Sequence, residues 1–306
     1  MNRSAGKTEW ASKPESGSLL GMKIGIFFLK LMGPGLFKLF LKPIVFFHYI
    51  FDPSASRASE KFLRYADNNS EHGIEINPFR HYYEFAEGIA ERIAIRSGIM
   101  KDIKLNWQGK SNILEYIRQN KGGLIFSGHI GNIDALRVYS SNLKKTKIHA
   151  LMFQKNSSKI NSVFNELSPG IESQVIPIEK LSITAVYRMQ NIIDRGEFIG
   201  VLPDRTAAGT ENRVTKTEFL GKRVSFPHGP WILASLLEAP VVLIFTIKTG
   251  RSEFSVFCED FEKKIVLPRQ NREEAIRGYV ERYAERLEYY TLRYPYQWFN
   301  FYDIWQ

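Results

Sequence analysis

The feature that most restricts the fold of this chain is a series of short, strongly apolar, β-prone runs in its second half. They are GLIFSG, KIHALMF, QVIPI, EFIGVLPD, APVVLIFTIK and EFSVFCEDF, with helical segments between most of them. Short apolar runs bounded by turn residues suit strands covered on both faces, and strands that alternate with helices call for parallel pairing. The order predicts an α/β fold, with a mixed, largely parallel central sheet flanked by helices and an antiparallel addition near the end. The strand-like DIKLNW and the helix SNILEYIRQN, with Ser111 as its N-cap, precede this series. A long helix closes it, from the N-cap Asn271 through Ile276, Tyr279, Tyr283, Leu287 and Tyr290.

Residues 1–18 are polar and are expected to form a flexible N-terminus. Residues 19–51 are very apolar but are punctuated by Lys23, Lys30, Lys38 and Lys42, and they contain no acid. The longest run free of charge, Pro43 to Phe51, falls short of the roughly 20 apolar residues of a spanning helix. Gly33, Pro34 and Gly35 divide the stretch into two helical halves, and the lysine spacing puts the ammonium groups on one side. This pattern fits a membrane-interfacial helical hairpin with lysines at anionic headgroups; an apolar helical pair packed on the main domain is the alternative. Residues 52–306 then form one α/β domain, opened by a helical cap made of RASEKFLRYADNNS and NPFRHYYEFAEGIAERIAIRSG.

A net charge of +10 points to anionic partners such as phospholipid headgroups, an acidic carrier protein or phosphorylated substrates. The basic residues are spread along the chain without a nucleic-acid-binding motif, which argues against nucleic acid. The lone Cys258 excludes an intramolecular disulfide and reads as a packed core thiol.

Residues 123–143, GLIFSGHIGNIDALRVYSSNL, carry most of the chemistry. Leu124, Ile125 and Phe126 read as a buried strand, Gly128 lets the backbone turn, and from Asn132 the periodicity becomes helical. His129 thus stands at a strand's C-terminal end, the edge of an α/β sheet where ligands bind. Asp134, five residues on, is positioned to reach back to a ring nitrogen, which would leave the other nitrogen free to take a proton from a hydroxyl or amine. A core histidine, with Asp134 capping the helix, is the plainer alternative.

Three further groups are candidates for substrate binding. EFIGVLPD delivers Asp204 and Arg205 to the same edge, where they either hold a phosphate or carboxylate or pair with each other at the surface. The loop FLGKRVSFPHGP offers Pro227 and Gly229 before a helix whose first amides could hold an oxyanion, or serve only as turn residues. MFQKNSSKINSVFNELSP offers Lys155 and Asn161 to an acceptor headgroup, or to solvent.

HIGNID after a buried strand resembles the HxxxxD/E block of the lysophospholipid acyltransferase superfamily. LPDR, FLGKRVSFPHGP, the opening WASKPESGS and the closing YPYQWFNFYDIW together resemble a branch of acyltransferases related to the late, secondary acyltransferases of lipid A biosynthesis. The resemblance implies acyl transfer from an acyl carrier protein or coenzyme A thioester to a lipid hydroxyl or amine, without an acyl-enzyme, metal or other cofactor. It makes His129 the general base, Asp134 its orienting partner, and Arg205 a basic group near a substrate phosphate. Two departures stand out. An EGTR-like block is absent, with LPDR roughly in its place, and the lysine-punctuated hairpin replaces a clean transmembrane anchor. The expected setting is the cytoplasmic face of the inner membrane, with peripheral or monotopic attachment. A basic peripheral protein that binds anionic lipid without chemistry is the rival reading.

Overall fold

The computed structural model describes residues 19–136, 147–153, 175–178, 182–206, 210 and 212–305. Helix α1 (Leu19–Phe51) bends at Gly33, whose φ of 71° and ψ of 167° interrupt the helical backbone. The two halves fold toward each other, so that a Cβ added to Gly25 would meet the Phe37 ring at 3.9 Å. Beyond the bend, Phe37, Leu41 and Val45 recur every four residues and are buried. Phe37 and Leu41 share a cluster with Leu29, Ala90, Ala94 and Ile95.

Helix α2 (Pro53–Asn68) is capped by Asp52, which accepts from the Ala55 amide at 3.0 Å. Helix α3 (Pro78–Arg96) is capped by Asn77, which accepts from the Arg80 amide at 3.0 Å. Each has proline in its first turn, where the missing N–H has no intrahelical partner to lose.

One lysine departs from the expected row facing headgroups. Lys38 pairs with Glu87 of α3 and lies 3.7 Å from Glu91, while Lys248 Nζ sits 2.7 Å from both carboxylates. Lys38 is therefore part of a partly buried ion-pair cluster that ties α1 to the domain. Among the described residues, one helical stretch, Lys23–Phe51, is long and apolar enough to cross a membrane, with a mean hydropathy of 1.7 over an 18-residue window. The charge-free run is shorter because it stops at every lysine, whereas the helix stays apolar on average across Lys30 and Lys38.

Among the described residues, seven strands form the main sheet: β1 (Lys104–Gln108), β2 (Gly123–Phe126), β3 (Ile148–Phe153), β4 (Val175–Ile178), β5 (Phe198–Val201), β8 (Val241–Gly250) and β9 (Glu253–Glu262). Their order is β1-β9-β8-β2-β5-β3-β4, and only the β8–β9 pair is antiparallel. This is the mixed, largely parallel sheet with a late antiparallel addition that the apolar runs predicted. Leu124, Ile125 and Phe126 are fully buried, as a strand covered on both faces requires.

Among the described residues, the remaining α-helices are α4 (Lys110–Arg118), α5 (Ile183–Asp194), α6 (Gly229–Leu237) and α7 (Arg272–Arg293). The cap of α4 is Gly109 and not Ser111; Gly109 has φ 73°, and a Cβ there would lie 2.0 Å from the Cys258 carbonyl oxygen. Helix α7 follows the predicted boundary and buries Ile276, Val280, Tyr283 and Leu287 in the main core. Cys258 is buried, and burial pushes its thiol up to about 12, so it stays protonated.

The stretch expected as a loop before α6 is instead a hairpin, β6 (Val214–Phe219) and β7 (Lys222–Pro227). Leu220 at φ 53° and Gly221 at φ 66° form its two-residue turn, the left-handed pair that suits the twist of two antiparallel strands. Phe219, Val224 and Phe226 enter the core from it.

Candidate active site

Strands β2 and β5 lie side by side with Phe126 opposite Val201. The chain continues equally far past each strand, and the two residues delivered to the edge are His129 and Asp204. Asp204 Oδ1 lies 2.7 Å from His129 Nδ1, and Oδ2 accepts the His129 backbone N–H at 2.7 Å. The carboxylate on the imidazole is therefore that of Asp204, from a neighbouring strand. Asp134 is engaged elsewhere: Arg96 of α3 donates to its Oδ1 through Nε at 3.1 Å and Nη2 at 2.8 Å. The expected His129–Asp134 pairing is corrected on this point. With a turn at Ile133 and Asp134 before the helical residues Ala135 and Leu136, Asp134 faces α3, and the Nδ1 position is taken by Asp204.

Two glycines shape the turn. A Cβ on Gly128 would stand 2.7 Å from Leu287 Cδ1 and 3.4 Å from Asp204 Oδ2, so its absence is what lets the segment lie against α7 and the carboxylate. The left-handed residue is Gly131, at φ 64°, where a Cβ would meet the Thr246 carbonyl oxygen at 1.9 Å. Below the turn, the buried Tyr283 hydroxyl donates to the Ser127 carbonyl at 2.6 Å.

The closing residues of the chain clamp this segment. Phe299 N–H donates to the His129 carbonyl at 2.8 Å, and Gly131 N–H to the Gln297 carbonyl at 2.8 Å. Gln297 is itself held by the backbone of Lys248 through both ends of its amide. The Trp298 indole N–H points to Asp204 Oδ2 at 3.4 Å. Behind Trp298, His81 donates from Nε2 to the Trp298 carbonyl at 2.9 Å and accepts the Ser59 hydroxyl on Nδ1 at 2.8 Å. Burial lowers the His81 pKa to about 4 against the pull of that carbonyl, so the ring is neutral and carries one proton.

Electrostatics favour a neutral imidazole at His129. Burial lowers its pKa first, then the charge of Arg205; the Asp204 charge and hydrogen bond oppose them, and Arg92 lowers it further. Burial works to raise the Asp204 carboxyl, but His129 and Arg205 outweigh it and hold it below the ordinary carboxylate value. The hydrogen-bond pattern then assigns the ring proton to Nδ1, donated to Asp204, and leaves the Nε2 lone pair open. The side chain retains 29% of its accessibility.

The other sequence candidates divide. Arg205 does not pair with Asp204 at the surface: its Nη2 donates to the Phe299 carbonyl at 2.5 Å, and its guanidinium lies 5.6 Å from the centre of the Tyr302 ring. Pro227 ends β7 opposite Val214. Gly229 opens α6, where the amides of Trp231 and Ile232 donate to the His228 carbonyl and are not available to an oxyanion. No described contact joins Pro227 or Gly229 to His129, and His228 bonds Thr215 at 3.0 Å. Lys155 and Asn161 lie outside the described residues.

Sequence reasoning missed Arg92, Arg96 and Trp298. Arg92 and Arg96 are one turn apart on α3, on the helix face that also carries Gly88, where a Cβ would meet the Phe299 ring at 3.5 Å. The signal was two cations at a four-residue interval beside a small residue.

A histidine held by a buried aspartate thus stands at the C-terminal edge of a mostly parallel sheet, an arrangement whose free ring nitrogen can accept a proton. The profile of the family described as bacterial lipid A biosynthesis acyltransferase matches residues 81–306, from the middle of the helical cap to the end of the chain. The chain belongs to that family and is an acyltransferase acting on lipid. A search of curated proteins finds no match.

Proposed function

We propose that this protein moves a fatty acyl chain from a carrier thioester, on acyl carrier protein or coenzyme A, to a hydroxyl or amine of a lipid acceptor at the cytoplasmic face of the inner membrane. The observation that carries the reading is the His129–Asp204 pair, with Nε2 left open beside a partly accessible edge. Nε2 removes the proton from the acceptor O–H or N–H as its lone pair attacks the thioester carbonyl carbon. The C=O electron pair moves onto oxygen. As it returns, the C–S bond breaks, and the proton on Nε2 passes to the departing sulfur. Asp204 fixes the reactive tautomer and stabilises the imidazolium between these steps. Asp134 acts as a positioning residue, holding Arg96 and with it the end of α3 against the turn. Arg205 binds an anionic group of substrate.

Membrane attachment rests on α1. Twelve of the exposed large apolar side chains fall between Ile24 and Phe51, among them Phe27, Phe40 and Phe47, while Lys23, Lys30 and Lys42 are exposed among them. The bend at Gly33 and the anchoring of Lys38 support an interfacial hairpin lying along the membrane surface. The net charge of +10 suits both anionic lipid and an acidic carrier.

The test is incubation of the full chain with a defined acyl carrier thioester, the matching coenzyme A thioester and bacterial lipid extract. The expected result is release of free thiol coupled to a lipid heavier by one acyl group, identified by mass. Thiol release with free fatty acid as the only acyl product would replace transfer by hydrolysis.

A further inference from the structure

The turn that carries His129 is held between two frames. On one side, Gly131 bridges to Thr246 of β8, and the Asn132 N–H donates to the Thr246 carbonyl at 2.8 Å. On the other, the closing segment pairs with the turn: Gly131 N–H donates to the Gln297 carbonyl, and Phe299 N–H to the His129 carbonyl. Gln297 joins the two frames. Its Oε1 accepts the Lys248 backbone N–H at 2.9 Å and its Nε2 donates to the Lys248 carbonyl at 2.8 Å, so the side chain stands in for a neighbouring strand. An amide carries both the donor and the acceptor that this role needs.

From Lys248 the contacts run on to α1. Lys248 Nζ lies 2.7 Å from Glu87 Oε2 and 2.7 Å from Glu91 Oε1, both on α3. Lys38 of α1 closes the cluster: it pairs with Glu87 Oε1 and stands 3.7 Å from Glu91, and its carbonyl accepts the Tyr83 hydroxyl at 3.1 Å. Glu87 thus bridges the two lysines, one on each carboxylate oxygen. The four side chains are largely withdrawn from water and their charges cancel, so α1 and β8 cannot part from α3 without stranding a carboxylate, which is costly. We propose that Gln297 and Lys248 are positioning residues for His129, and that Lys38 brings α1 into the same support, so that acyl transfer runs at full rate only with α1 seated on α3. The proposal rests on the reading of His129 as the acceptor's base. A base must come within about 3 Å of the group it deprotonates, and a displacement of about 1 Å costs on the order of a hundredfold in rate.

Acyl transfer by the full chain is measured with a defined acyl carrier thioester and bacterial lipid extract, with melting temperature and vesicle flotation alongside. The proteins are wild type, His129→Ala, Gln297→Met, Lys38→Met, Lys38→Arg and the combination of Gln297→Met with Lys38→Met. Gln297→Met keeps the length of the side chain and removes both hydrogen bonds; kcat should fall at least about tenfold, with both KM values within about twofold. Lys38→Met should lower kcat about tenfold while vesicle binding holds, and Lys38→Arg should return it to within about twofold. Because both changes loosen one support, the combined variant should lose no more than about threefold beyond the worse single one. Losses that multiply, a loss that tracks vesicle binding, or wild-type kcat in the folded Gln297→Met and Lys38→Met proteins overturns the proposal. If Lys38→Met does not fold, Lys38→Met with Glu87→Gln removes one charge of each sign, leaves Lys248 with Glu91, and decides by the same readouts. If Gln297→Met does not fold, the Lys38 variants decide alone. His129→Ala separates the two readings. Full activity in it refutes the base, whereas its loss beside wild-type kcat in the other variants overturns the positioning network and leaves the base standing.

Discussion

Replacing Asp204 by asparagine should be far more damaging than replacing Asp134, although Asp134 is the acid in the His-x4-Asp spacing. Asp204 uses Oδ2 for the His129 backbone N–H and Oδ1 for Nδ1, each at 2.7 Å. An asparagine in the same place must turn its carbonyl oxygen to the backbone N–H, because the opposite orientation sets two donors against each other. Its NH2 group then faces Nδ1 and donates to it, which moves the ring proton to Nε2 and removes the lone pair that the acceptor needs. The analogous change in the serine protease triad costs about 10⁴ in kcat by forcing the wrong tautomer, or about 5 kcal/mol at 1.36 kcal/mol per tenfold. Asp204→Asn should accordingly lose about 10³–10⁴ in kcat. Asp134→Asn keeps an oxygen for Arg96 and should lose about tenfold or less. The assay is thiol release from a defined acyl thioester at saturating acceptor, with melting temperature as a check on folding. Losses of similar size in the two folded variants, or Asp204→Asn within tenfold of wild type, would refute the argument.

Other consequences follow from the same contacts. Burial, Arg205 and Arg92 outweigh Asp204 in lowering the His129 pKa, so the rise of kcat/KM with pH should be centred below the ordinary histidine value near 6.5. Arg205→Gln removes a cation and should shift that limb to higher pH; an unchanged or downward-shifted limb would contradict the electrostatics. Lys248→Met leaves Glu87 and Glu91 with only Lys38, and should destabilise the fold by about 3 kcal/mol in urea unfolding, at the lower end for breaking a buried pair. Adding Glu91→Gln to it should recover part of that loss. Phe40→Glu with Phe47→Glu should weaken vesicle binding about a thousandfold in a flotation assay, taking about 2 kcal/mol of lost burial for each ring.

Much of the sheet was legible because strands buried on both faces must be apolar along their whole length, and GLIF, FIGV and VVLIF announce themselves. The β6–β7 hairpin was not, since exposed Lys222 and Arg223 start a strand that enters the hydrophobic core through Val224 and Phe226, and the prolines and glycines at its end read as a loop. His129 was legible from its place at the end of β2. Asp204 was legible as a residue that EFIGVLPD delivers to the same edge, but its pairing with His129 was not, because the HxxxxD spacing drew attention to Asp134 while Asp204 arrives through the parallel register of β2 and β5, 75 positions away. Arg92 was hidden for the same reason, and Trp298, although it lies in the closing YPYQWFNFYDIW, gave no sign of its contact with Asp204; both reach the site by tertiary packing. Lys38 carried the opposite error, since its local setting suggested headgroups while Glu87 and Glu91 lay on another helix.

In the proposed reaction His129 removes the acceptor proton. The measurement that tests it most directly is single-turnover transfer of a labelled acyl group from carrier thioester to lipid by wild type and His129→Ala, at matched folding and vesicle binding. Labelled lipid product should fall by at least about 10³-fold in His129→Ala, with the melting temperature little changed. Near-normal transfer by the folded His129→Ala protein would contradict it.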